Sequence, residues 1–313
     1  MPVLRGNWAR LVLPAAACAA GIVLPLVGVY PIFLMKCLCF ALFACAFNLL
    51  IGFTGLLSFG HAAFFGTAAY LCGYATKELH ATLEVGLLLG VAASALLGLL
   101  IGSVAVRRQG IYFAMITLAL AQMMYFIWVQ TPFTHAEDGL QEIPRRSLFG
   151  VLSLRNDLVM YYVVLAIFCA AMALIHRVIH SPFGQVLKAI RENEPRALSL
   201  GYDVDRYKLL AFLLSASLSG LAGALKAQSL GLATLTDSHW HQSGEVVLMT
   251  LLGGMGTFFG PVVGAFAISG METYLAGFGS WVTVIMGATF VVCVLVFRRG
   301  IVGEIFHLAN KNK

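Results

Sequence analysis

The chain has 313 residues, of which 60% are hydrophobic and 11% charged, and its mean hydropathy is +0.89. An ordinary soluble domain is about half apolar and about a quarter charged, so a water-soluble globular enzyme is excluded, and the low charge excludes a disordered chain. The formal charge of +6 would suit a nucleic-acid binder, but the basic residues stand between long apolar runs, where they mark membrane topology rather than a nucleic-acid face.

A helix needs about 20 apolar residues to cross the hydrocarbon core. The first run, Leu11 to Val29, carries Pro14 and Pro25. Its basic flank (Arg5, Arg10) is thin for a signal peptide, and further runs follow directly after Pro31, so it is read as an uncleaved first crossing. Runs at 32–51, 55–75, 85–106, 110–130, 158–178 and 207–228 pass easily. The region 244–277 is apolar but interrupted by Gly253-Gly254-Met255-Gly256 and Gly260-Pro261, and a last run, 280–298, ends at Arg298-Arg299. Read as two short segments, 244–256 and 259–277, the interrupted region gives ten crossings with both termini cytoplasmic. Fourteen of the 20 Lys and Arg then lie inside and six outside, whereas a single crossing there gives ten against ten. The positive-inside rule selects ten. Lys36 and Lys226 fall near outer helix ends, where snorkelling is expected. The predicted fold is an all-α integral membrane protein of about ten transmembrane helices, a single domain over 1–313. It has an outer loop at about 131–157 and an inner loop at about 180–206.

The deep parts of these runs carry almost no charge. Glu245 and Glu272 sit near segment ends, and no acid pair or acid–histidine relay is visible, which argues against an ion-coupled transporter. No GxxxxGK[ST] sequence is present for binding ATP, and no Ser/His/Asp or HExxH arrangement for hydrolysis, so no catalytic residue is assigned. His176/His180 and His239/His241 are pairs only, too few for a metal site. The seven cysteines lie within apolar runs without a CxxC pair and read as packing residues.

The GxxxG pairs Gly86/Gly90, Gly98/Gly102 and Gly260/Gly264, and the stripe Ser215, Ser219, Gly223, let helix backbones approach closely. The break at Gly253, Gly254, Gly256 and Pro261 has two readings. Unwound backbone at membrane depth is tolerated inside protein or along a watery cavity, which makes it a pathway gate; the other reading is a turn between two short helices. Ser58 and His61, with Asn48, Thr117 and Gln122, are the polar candidates for lining a pathway, and His61 reads equally well as a satisfied core histidine.

The inner loop opens with Ser181 as an N-cap and Pro182 at the first helical position. Phe183, Val186, Leu187 and Ile190 then follow helical spacing on one apolar face. Asn193-Glu194-Pro195 starts a second short helix, with Gly201 as its stop. The apolar face calls for a cover, either headgroups or a protein. Glu192 and Glu194 among the basic residues favour a protein groove over an anionic-lipid anchor.

These stretches resemble a known family. Ser181–Tyr202 with Tyr207–Phe212 resembles the cytoplasmic loop of the LivM-type permeases of branched-chain amino-acid ABC importers. Gly55–Gly66 resembles their third helix, Gln109–Leu118 their fifth, and Ser243–Thr257 with Gly260–Gly264 their C-terminal signature. The matches come in order from about Phe47 to Phe266. One departure is Thr134-His135-Ala136-Glu137-Asp138, where members often carry a Thr-Gly-Gly run. The resemblance implies a multi-pass subunit of the bacterial inner membrane with the ABC importer permease fold. It implies a leucine, isoleucine, valine or related cargo, with urea, amides or small aromatic acids as alternatives in the same family; a stand-alone channel is the rival class. It implies a second, LivH-like permease as heterodimer partner, two cytoplasmic ATPases and a periplasmic or extracellular binding protein, with no nucleic acid. No cofactor is expected on this chain, ATP and Mg being used by the ATPases. The expected coupling residues are Phe183, Val186, Ile190, Arg191, Glu192, Glu194 and Gly201.

Overall fold

The computed structural model describes residues 21–134, 138–147, 153–279, 281–296 and 300–304. Most of the predicted first crossing, His135–Glu137 of the outer loop, Arg298-Arg299 and the C-terminal lysines lie outside the described residues.

The apolar runs are helices. In chain order they are α1 (Pro31–Thr54), α2 (His61–Lys77), α3 (Leu83–Ala105), α4 (Ile111–Gln130), α5 (Asp157–His180), α6 (Pro182–Glu192), α7 (Glu194–Ser199), α8 (Val204–Leu230), α9 (Trp240–Gly253), α10 (Gly260–Leu275) and α11 (Trp281–Val296). Five of them, α1, α3, α4, α5 and α8, are long and apolar enough to cross a membrane. Helices α2, α9, α10 and α11 have 17, 14, 16 and 16 residues, about 21–26 Å at 1.5 Å per residue, and fall short of the ~30 Å hydrocarbon core. Among the described residues no strand forms; Leu140 and Ala233 make an isolated antiparallel bridge.

Helices α1, α2, α3 and α8 form the centre, with α5, α9 and α10 packed on α1. Glycines set the spacing. A Cβ on Gly223 would overlap the carbonyl of Phe65, one on Gly98 would meet Ala216, and one on Gly90 would press on Ala68 and Ala224. The small-residue pairs read from the sequence are therefore real points of helix contact. Ser94 on α3 donates to Phe64 O at 2.8 Å and faces Gly220 on α8.

The predicted crossing at 55–75 begins late. Gly55, with φ +78°, ends α1 in the left-handed conformation, and residues 55–60 run back into the bundle without helix. Helix α2 starts with the His61 ring 5.0 Å from that of Phe47, about 10 Å inside the end of α1 at 1.5 Å per residue. A second segment enters from the other end. After Gly231 (φ +71°) the chain turns inward through the 3-10 turn Leu235–Ser238, and Ser238 lies against Gly66 of α2. Helices α9 and α10 are antiparallel, with Gly264 against Met249 and Gly253 against Gly260.

Gly223→Ala should force α2 and α8 apart at a close backbone approach and lower stability by about 1–3 kcal/mol through overpacking. Gly270→Ala in α10, where an added Cβ meets nothing within 4 Å, should be neutral or stabilising by up to about 1 kcal/mol. Thermal unfolding of the two purified variants in detergent compares them directly.

Candidate functional site

The loop between α5 and α8 forms as its caps dictate. The Ser181 hydroxyl accepts from Gly184 N–H at 3.3 Å, Asn193 Oδ1 from Arg196 N–H at 3.1 Å, and Asp203 Oδ1 from Arg206 N–H at 3.3 Å. Each cap satisfies an N–H that the following helix start leaves without a partner. Gly201 has φ +85° and α7 closes with Tyr202 N–H donating to Ala197 O at 3.2 Å, as a glycine stop requires.

The apolar face of α6 does not wait for a partner. Ile190 is buried with Ala197 and Val204, and Val186 and Tyr207 pack around them. Phe183 stacks on Tyr207 with ring centroids 5.7 Å apart. The stripe finds part of its cover within the chain, from α7 and the first turns of α8, while Phe183 and Val186 stay half-buried. Glu194 works internally as well, accepting from Lys208 Nζ at 2.6 Å, and Lys208 is buried. Among the residues this elbow leaves exposed are Glu192, Arg196, Leu198, Leu200 and Tyr202.

Arg191 ties the elbow to the bundle. Its guanidinium donates to Gly52 O near the end of α1, its stem lies on Gly55, and Nη1 lies beside Gly256. The 254–259 turn is itself clasped by Asn48, whose Nδ2 donates to Thr257 O and whose Oδ1 accepts from Gly256 N–H, both at 2.9 Å. The Gly253–Gly256 break is thus a tight turn between two antiparallel helices, at the same end of the bundle as α6. Gly254 (φ +119°) and Gly256 (φ +73°) take conformations that a side chain would strain, and Pro261 sits in the first turn of α10.

Ser58, His61 and Thr117 come together at the start of α2. The Ser58 hydroxyl accepts from Gly60 N–H at 3.1 Å, and Thr117 Oγ1 accepts from Phe59 N–H at 3.3 Å. His61 is fully buried, ringed by Phe47, Phe64 and Phe212, with Nε2 2.8 Å from Ser215 Oγ. The Ser215 hydroxyl spends its one proton on Ala46 O at 2.6 Å. It therefore accepts from His61 Nε2–H, and Nδ1 is left as a bare acceptor. Gln122, further along α4, is half-buried.

The structure also shows charged groups that the sequence reading set aside. Lys36 and Lys226 do not reach for the interface. Lys36 Nζ is 2.9 Å from Glu272 Oε2, and Lys226 Nζ is 2.7 Å from Asp237 Oδ2 in a buried pair. Asp237 also accepts from Thr234 N–H at 3.0 Å, so the ion pair pins the inward segment. The correction has a physical cause: once 231–239 folds into the bundle, Asp237 lies closer to Lys226 than water does. Lys36 and Glu272 are 236 positions apart, beyond any spacing rule. At that same far end Arg145 binds Asp157 at 2.5 Å and Ser229 O at 2.7 Å, closing the described part of the outer loop over the helix ends. Among the described residues no cluster of His, Cys, Asp or Glu is arranged to hold a metal ion.

Residues 30–294 match the family described as the permease component of branched-chain amino acid transport systems. The chain belongs to this family. It is 26% identical over 277 residues to the high-affinity branched-chain amino acid transport system permease protein LivM of Salmonella typhimurium, covering 81% of this chain and 65% of that protein. LivM of Escherichia coli is likewise 26% identical, over 281 residues, with the same coverage. The autoinducer 2 import system permease protein LsrC of Klebsiella pneumoniae is 30% identical over 196 residues, 61% of this chain and 54% of LsrC. The chain thus spans just under two thirds of the length of the LivM proteins. No solved structure matches it. Family membership and the long apolar helices make it a multi-pass membrane protein of this permease family, all-α among the described residues.

Asn48→Ala should leave two half-buried backbone groups of the turn, Gly256 N–H and Thr257 C=O, without their side-chain partner and cost about 1 kcal/mol. Amide exchange resolved to 254–257 should quicken while the α3–α8 contact stays protected; equal protection of 254–257 in the parent and the variant would remove Asn48 as the clasp.

Proposed function

We propose that this chain is a transmembrane permease subunit of an ATP-driven importer, carrying leucine, isoleucine, valine or a related small amino acid across a bacterial inner membrane. The whole chain acts as one permease domain, with the α6–α7 elbow on the cytoplasmic side, where the excess of Lys and Arg belongs. It pairs with a second, LivH-like permease, receives cargo from a periplasmic or extracellular binding protein, and is driven by two ATPase subunits that use ATP and Mg. It has no catalysis and no cofactor of its own.

The observation that carries this reading is the stitched elbow. A protruding, capped helix pair is internally packed, so it moves as a solid piece. Through Arg191 it grips both the end of α1 and the 254–259 turn. An ATPase that shifts α6 therefore pulls on α1, α9 and α10 together. The face offered to the ATPase is the exposed one, Glu192 with Arg196, Leu198 and Leu200. Phe183, Val186, Ile190 and Glu194 hold the elbow's shape, and Gly201 ends it. Asn48, Gly253, Gly254, Gly256 and Pro261 form the moving end of the pathway. Ser58, His61 and Thr117 form the packed axis beside it, with Gln122 on its flank. The similarity to an autoinducer 2 import permease favours a second reading, a different small polar cargo in the same architecture.

Co-expression with the ATPases and the second permease, followed by affinity purification and uptake in proteoliposomes, tests the assignment. Leu198→Asp or Glu192→Arg should abolish ATPase co-purification while the chain keeps its thermal stability. Phe183→Ala should instead lower that stability. Arg191→Ala should keep the ATPases bound yet reduce uptake at least tenfold. Uptake by the chain alone, without nucleotide, would replace this reading with a channel.

A further inference from the structure

The outer half of the bundle, away from the elbow, holds a charge imbalance. Among the described residues there, Arg145 pairs with Asp157, Lys36 with Glu272 and Lys226 with Asp237, while Glu245 on α9 has no ion-pair partner. Glu272, Lys36 and Asp237 are charges whose fields reach it. Gln242 donates to Glu245 Oε2 at 2.8 Å, while Oε1 is shielded from solvent and without a hydrogen-bond partner. A second orphan belongs to the same place. The contact of Gly264 with Met249 sets the antiparallel register so that Glu245 falls opposite the Ile268–Ser269 turn of α10. Ser269 is fully buried and its hydroxyl also lacks a partner. Glu272 is one turn further along the same face of α10.

A carboxylate oxygen held out of water with no donor is costly, and so is a net negative charge at membrane depth. A proton would relieve the charge alone; a positive group carrying several N–H donors would relieve the charge and also supply both acceptors. We propose that Glu245 and Ser269, with Gln242 and Glu272 at the margin, form the receiving site for the primary ammonium group of the transported amino acid. The side chains of Lys36 and Glu272 remain 27% and 36% exposed, so the ion pair at the margin of the site is reached from outside the bundle. On this proposal Lys36 would meet the carboxylate of a bound zwitterion. Neutral cargo such as a sugar or urea offers no charge to offset Glu245, and an anionic cargo would be repelled. The inference rests on the amino-acid reading above and sharpens it.

The full chain, purified into lipid nanodiscs, would be titrated with leucine, leucinamide (ammonium without carboxylate), 4-methylpentanoate (carboxylate without ammonium) and sodium chloride, following thermal unfolding. Leucine and leucinamide should raise Tm saturably, and 4-methylpentanoate and sodium chloride should not. Glu245→Gln should weaken both amines at least tenfold without lowering the unliganded Tm, since it removes an unpaired charge. Ser269→Ala should weaken them several-fold. The site is overturned if leucinamide binds Glu245→Gln as it binds the parent, if 4-methylpentanoate competes equally, if sodium alone gives the same shift, or if no amine shifts the parent. Leucine bound equally by parent and Glu245→Gln overturns the site and leaves the amino-acid cargo standing. Glu245-dependent binding of leucinamide but not of leucine leaves the ammonium site standing and overturns the cargo.

Discussion

Every backbone N–H and C=O that enters a bilayer must find its partner inside the protein, and this chain breaks helix at depth more than once. Segments 55–60 and 231–239 and the 254–259 turn each interrupt the i→i−4 pattern. Side chains substitute for the missing helical bonds. Thr117 receives Phe59 N–H, Ser243 receives Ala62 N–H, Asp237 receives Thr234 N–H and Asn48 receives Gly256 N–H. Each is a polar residue spent on backbone rather than on solvent. Short helices α2 and α9 can exist in the bundle because these donors and acceptors are matched one by one.

That constraint explains why buried polar residues are poor guides to a pathway by themselves. His61 and Ser215 fix α2 to α8 and, through Ala46 O, to α1. Ser94 fixes α3 to α2. Gln228 donates to Thr76 at 2.8 Å, joining α8 to the end of α2. The groups that stand out against this background are those with unmet valence, and Glu245 and Ser269 differ from the rest because their surroundings also carry unbalanced charge. In a low-dielectric interior an unmatched charge outweighs an unmatched hydroxyl, so the carboxylate locates the site and the hydroxyl only shapes it.

Much of the architecture was legible in the amino-acid order. Apolar run length located the long helices within a few residues, the Gly/Pro interruption split 244–277 where α9 and α10 part, and Ser181, Asn193 and Gly201 marked the elbow's boundaries. The GxxxG pairs marked true contacts. What could not be read was anything created by chain reversal. Residues 55–60 look as apolar as the helix that follows, and only the left-handed Gly55 and the depth of His61 show that they are not helical. The partners of Lys36 and Lys226 depend on how α10 and 231–239 fold back. The amphipathic stripe of α6 was read correctly as a stripe, but its cover lies in this chain, because α7 turns back on it within a dozen residues.

The self-covered elbow changes how force has to travel. Had the apolar face of α6 been open, docking would bury it and the ordering of the loop would accompany binding, with part of the interaction energy consumed by that ordering. With much of the face already packed, the proposed docking would engage only the rim, and the elbow would transmit displacement as a lever. The lever's inner contact is a guanidinium on a helix-end carbonyl beside two glycines. Glycine is needed there for close approach, and arginine because a planar, permanently charged fork can hold one carbonyl while its stem lies flat on Gly55. Lysine would keep the charge and lose that geometry. The far end, in contrast, is pinned by Lys226–Asp237 and Arg145–Asp157. A bundle clamped at one end and gripped by a lever at the other deforms between them, along α1, α9 and α10, which are the helices that carry Lys36, Glu245 and Glu272.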